Sequence, residues 1–194
     1  MLLLSLLLAC GDVTDPDHDH DNEVITTVTL RLQPDGGGAE LTFSWSDPEG
    51  DGSPAIDPLV LDAGLAWDVS VHLLNAAEDP AEDLTAEIAD EDGEHQLFFT
   101  GSAVAGPATG DNPDAVLEHA YADADAAGAP VGLFNRFTAR EAGVGDLVLT
   151  LRHLPPEDGT PTKSTDLAEA VATGGFGAIP GDNDVQVTFP VDVR

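Results

Sequence analysis

Apolar and polar residues take turns along most of this chain. In residues 24–32, Val28, Leu30 and Leu32 share one face of an extended segment, and Thr27, Thr29 and Arg31 take the other. That period of two is the signature of a half-buried strand. A turn, Pro34-Asp35-Gly36-Gly37-Gly38, follows, and Leu41, Phe43 and Trp45 then alternate with Thr42, Ser44 and Ser46. Two such runs around a Gly-rich turn predict a hairpin. Leu65, Trp67, Val69, Val71 and Leu73 form the longest unbroken stripe, and Val185, Val187, Phe189, Val191 and Val193 form another. Further strands are expected at 59–61, 95–100, 115–121, 131–139 and 147–151.

The period changes once. Asp79 suits a helix N-cap, Pro80 the first helical position, and Leu84 and Ile88 stand four apart, which predicts one short helix over 80–91. Residues 157–181 read as a long loop, with one helical turn at 167–171. About nine strands, one short helix and Gly/Pro turns predict a mainly β fold. The expected form is an antiparallel, immunoglobulin-like β-sandwich over residues 24–194.

The front of the chain follows another pattern. Residues 1–9 are almost wholly apolar, too short to span a bilayer but long enough for the apolar core of a signal peptide. Leu7-Leu8-Ala9-Cys10 reads as a lipobox, with an apolar residue three places before the only cysteine and a small one just before it. Cys10 is therefore the expected lipidation site, and several acyl chains would anchor it firmly. No Lys or Arg precedes the run, so the true start is expected upstream. A single cysteine forms no disulfide within the chain. Residues 10–23 are then an acidic tether to the membrane. In it His18 and His20 alternate with Asp17, Asp19 and Asp21; this is either a plain solvated linker or a weak site for Zn, Cu or Ni.

Charge narrows the functional classes. Six Lys and Arg stand against 37 Asp and Glu, for a net charge of −31. Such a surface repels nucleic-acid phosphates and anionic headgroups. It suits solubility at high ionic strength, or the binding of cations such as Ca²⁺.

Candidate ligands lie in two kinds of place. Asp47, Glu49 and Asp51 alternate before Gly52 in a loop that could wrap Ca²⁺, although the twelfth position of an EF-hand would fall on Pro58. Asp123 and Asp125, and Asp182 and Asp184, repeat the idea more weakly, and aspartates with glycine also make turns without any ion. His95 shares parity with Leu97 and Phe99, and His153 with Leu147, Leu149 and Leu151, so both are expected to point inward near strand ends. They read either as hydrogen-bonded rim histidines or as Zn or Cu ligands. His119 is a third imidazole whose direction its own segment leaves open. No nucleophile motif, P-loop, HExxH or dinucleotide fingerprint occurs, so no catalytic residue is expected.

Several stretches in order carry a resemblance: Val24-Ile25-Thr26-Thr27-Val28-Thr29-Leu30, Asp47-Pro48-Glu49-Gly50-Asp51-Gly52, Glu94-His95-Gln96-Leu97-Phe98-Phe99, Leu149-Thr150-Leu151-Arg152-His153, and Asp182-Asn183-Asp184-Val185-Gln186-Val187. Together they resemble small bacterial lipoproteins, common in Bacteroidetes, labelled type 1 periplasmic binding fold superfamily protein. The label implies an α/β solute-binding fold, whereas the period-two stripes predict an all-β one. The resemblance implies an outer-membrane lipoprotein facing the periplasm or the cell surface, and no functional residue. Two functions follow from the sequence. One is a tethered, non-enzymatic domain that binds a ligand or supports an envelope assembly. The other is a metal-handling lipoprotein, a partner of an outer-membrane uptake receptor, which captures ions with His18 and His20 and holds them with His95 and His153.

Overall fold

The computed structural model describes residues 23–194, so Cys10, His18 and His20 lie outside the described residues. The described chain is mainly β. Its strands are β1 (Thr27–Pro34), β2 (Leu41–Ser46), β3 (Ala55–Ile56), β4 (Leu59–Leu61), β5 (Ala66–Asn75) and β6 (Glu82–Asp83). After helix α1 (Thr85–Asp90) come β7 (His95–Thr100), β8 (Val104–Ala105), β9 (Leu117–Tyr121), β10 (Phe134–Ala139) and β11 (Gly143–His153). Helix α2 (Leu167–Gly174) and a 3₁₀ turn (Phe176–Ala178) precede β12 (Asp182–Val193).

Two sheets enclose the core. The first runs β3-β2-β1-β5-β10-β9-β8, with β6 beside β5; the second runs β4-β12-β11-β7. The alternation read from the sequence sets the faces. Val28, Leu30, Leu32, Trp67, Val69, Val71 and Leu73 of the first sheet meet Leu97, Phe99, Leu147, Leu149, Leu151, Val187 and Phe189 of the second in one buried cluster. Each such side chain, fully removed from water, contributes about 1.5–3 kcal/mol.

The expectation of nine antiparallel strands in an immunoglobulin-like arrangement holds only at the coarser level of a mainly β, two-sheet fold. The described residues form twelve strands, and two pairings, β4 with β12 and β8 with β9, are parallel. The three strands the pattern does not show are β3, β6 and β8, two residues each, which is too short for alternation to register. The first helix is shorter than the predicted 80–91 because Glu82 and Asp83 pair instead with Asn75 and Leu74 at the end of β5. It starts at Thr85, whose N–H donates to the Asp83 carboxylate at 3.0 Å.

The long loop is a cover. Leu167, Ala168 and Val171 of α2, with Ile179, pack on Phe98 and Leu154, on the side of the second sheet away from the main core. This is why β7 is buried on both faces. Lys163 ties the loop down: its ammonium sits 3.1 Å from the Asp125 carboxylate, both nearly out of water, and donates to the Asp92 carbonyl.

Candidate metal centre

The site grows from the pairing of β7 with β11. His95 and His153 occupy directly opposed positions in that antiparallel ladder, so their side chains leave the same face next to each other. Their parity with Leu97 and Leu151 sends both inward, where His95 is fully buried and His153 is 7% exposed. The rings stack at 4.7 Å with only 9° between their planes.

A third group comes from an irregularity in β12. Leu151 pairs with Val185 but Arg152 pairs with Asn183, so Asp184 is one residue too many on its strand. Simple alternation from the inward Val185 would face Asp184 to solvent. The bulge re-aims it, and its side chain is fully buried, with Oδ2 at 3.9 Å from His95 Nε2.

The fourth group is Glu23, which the sequence pattern assigns to the tether. Its side chain is only 10% exposed, and Oε1 lies 3.3 Å from His95 Nε2. It stands just ahead of Ile25, which belongs to the main core, and of Thr26, whose N–H donates to the Leu74 carbonyl.

One donor atom each from Glu23, His95 and His153 falls within a sphere of mutual separations of 4.8 Å. Neighbouring ligands of a tetrahedral zinc ion, with bonds near 2.0–2.1 Å, stand about 3.3–3.4 Å apart. The Glu23–His95 separation already has that value. His95 Nε2 faces the carboxylates, but the two rings lie in nearly parallel planes with centroids 4.7 Å apart, so one ring must turn for both in-plane lone pairs to meet a single ion. His95 Nδ1 lies 3.3 Å from the Glu91 carbonyl, and donation there leaves the lone pair on Nε2, facing the carboxylates.

The polar atoms of this cluster are poorly satisfied. Glu23 Oε2, His95 Nε2 and both carboxylate oxygens of Asp184 are buried without an aligned hydrogen-bond partner. The 3.3 Å approach of Glu23 to His95 is thus a charge contact and not a directed bond. Buried carboxyl oxygens of this kind are costly. Burial, and then repulsion from Glu23, push the Asp184 carboxyl up to about 7. Burial alone would lower the His95 imidazole, but Glu23 and Asp184 outweigh it and raise it above its ordinary value. Burial likewise opposes ionisation of Glu23, yet the contact with His95 keeps its carboxyl low. A dication would offset the charge of the two carboxylates and give the orphaned His95 Nε2 a partner.

Other predicted ligands are placed differently. Asp47 accepts the N–H groups of Asp51 and Gly52, and Asp51 accepts that of Ser53. These two carboxylates close their own turn, and Glu49 is exposed. Asp123 caps the N–H groups of Gly132 and Phe134, and Asp125 those of Ala127 and Ala129. His119 turns inward but joins a separate cluster, packed on Phe99 and Phe137, with Nε2 bonded to Asn135 Oδ1 at 3.0 Å. Burial pushes its imidazole down to about 4.

The sequence pattern missed Glu23 and the inward turn of Asp184. A bulge leaves no mark in alternation, and Glu23 sits in a run of acids that reads as linker. Among the described residues no helix is long and apolar enough to cross a membrane. Comparison with protein-family models, curated proteins and solved structures finds no match to this chain.

Proposed function

We propose that this protein is a metal-holding domain of the bacterial envelope, tethered through a lipidated Cys10. The observation that carries the reading is the convergence of Glu23, His95 and His153, with Asp184 3.9 Å from His95 and four orphaned polar atoms among the four residues. A purely structural rim would hydrogen-bond its histidines and keep its carboxylates in water.

The donor set selects the ion. Two imidazoles and two carboxylates favour Zn²⁺ and its transition-metal neighbours over Ca²⁺ or Mg²⁺, which prefer oxygen shells of six or more. With both histidines neutral, the dication and the two carboxylates sum to zero charge, which suits a buried place. Glu23, His95 and His153 supply three donors, and Asp184 stands beside His95 at 3.9 Å as a fourth group at the edge of the cluster. The acidic surface raises the local cation concentration and repels nucleic acid. In this reading His18 and His20 gather ions outside the domain, and an uptake receptor in the outer membrane is the fitting partner.

Zn²⁺ titration of the full chain, read by competition with a chromophoric chelator, tests this. One tight site is expected, lost in His153→Ala and retained when His18 and His20 are both changed to alanine. Loss with the tail pair and retention in His153→Ala would place the metal on the tether and refute the buried site.

A further inference from the structure

Resting on the metal-holding reading, we infer that Glu23 is the closing ligand, so that an ion in the site latches the N-terminal segment to the second sheet and leaves only when that segment lifts.

The placement of the four groups carries this. His95, His153 and Asp184 come from β7, β11 and β12, all strands of the second sheet. Glu23 precedes β1, a strand of the first, and lies on no strand itself. The ion would therefore bridge the two sheets at one end of the core, through a residue outside both ladders. His95 and Asp184 are fully buried, and Glu23 covers them. Among the described residues, Glu23 stands just ahead of Ile25, which is anchored in the main core, but its own backbone has little other hold. Its carbonyl accepts the Ile25 N–H at 3.1 Å, Val24 is 62% exposed, and firm pairing to the sheet begins at Thr26, bonded to Leu74 and Ala76. Two histidines on paired strands, with Asp184 beside them, and one carboxylate on an unpaired segment make a cage with one movable wall.

Amide hydrogen exchange on the full chain carrying the His18 and His20 alanine changes tests the latch, with Zn²⁺ as the probe. An ion that binds only the closed form slows exchange through opening by 1 + [Zn]/Kd, about 100-fold at one hundred times Kd. Ile25, whose N–H bonds to the Glu23 carbonyl, should slow by that factor. In Glu23→Gln, Zn²⁺ should still titrate, more weakly, and core amides such as that of Leu149 should confirm the fold, while Ile25 shows no slowing. If Zn²⁺ binds the parent chain but leaves exchange at Ile25 unchanged, the latch is wrong and the metal site stands. If Zn²⁺ does not bind, both fall.

Discussion

Asp184→Asn should make the metal-free protein more stable and the metal-loaded protein less so. In the absence of an ion, Asp184 is a fully buried carboxyl with both oxygens unpaired, held beside a second buried carboxylate. Its raised pKa, about 7, reports the same conflict. An isosteric amide removes the buried charge and offers an N–H to Glu23, whose Oε2 has no partner. Relieving one badly compensated buried charge is worth about 2–4 kcal/mol. For a domain of this size that raises the melting temperature by roughly 5–15 °C. Zn²⁺ acts in the opposite sense. At one hundred times its Kd it stabilises the parent protein by about 2.7 kcal/mol, or about 5–10 °C, and it should add little to the variant. The assay is thermal unfolding by circular dichroism at about pH 7.5, with chelator and then with excess Zn²⁺, for both proteins. A variant that melts lower than the parent in chelator, yet gains as much from Zn²⁺, would show that Asp184 is a structural group and refute its place in the metal site.

Three further outcomes are expected. His119 is 3% exposed and its folded pKa, about 4, lies below the ordinary 6.5, so its contribution is whole above pH 6.5 and is lost as pH falls through 4; about 3 kcal/mol of acid sensitivity should be missing from His119→Phe in denaturant melts from pH 7 to 4. Lys163→Met should lower the denaturant midpoint by about 3 kcal/mol of stability, because Asp125 keeps its buried carboxylate without the ammonium, and unchanged stability would mean that the loop cover does not depend on the pair. Gly181 has φ +81°, and a Cβ there would run into the His153 carbonyl oxygen. Gly181→Ala should therefore cost about 2–3 kcal/mol and also weaken Zn²⁺ binding, since the end of β11 must shift; a stability loss with intact zinc affinity would uncouple that strand end from the site.

What is legible in the sequence depends on the length of the signal. Stripes such as those of β5 and β12 recur over ten residues or more, and alternation over that length leaves little choice of face, since a slip by one residue would turn every apolar side chain to water. The inward direction of His95 and His153 follows from that parity alone. Elements of two residues, such as β6, carry no period, and the pairing that shortens α1 is a contact between separate segments that neither segment records.

The sequence by itself determined a mainly β chain, the faces its long strands bury, and the inward aim of two histidines, because each is a consequence of local period. The tertiary structure alone decided that those two histidines are opposed on neighbouring strands, that a bulge turns Asp184 from solvent to core, and that Glu23 reaches across to them. Strand order and bulge position are set by which segments pack together across the whole chain, and a cluster gathered from four separate places exists only once they do.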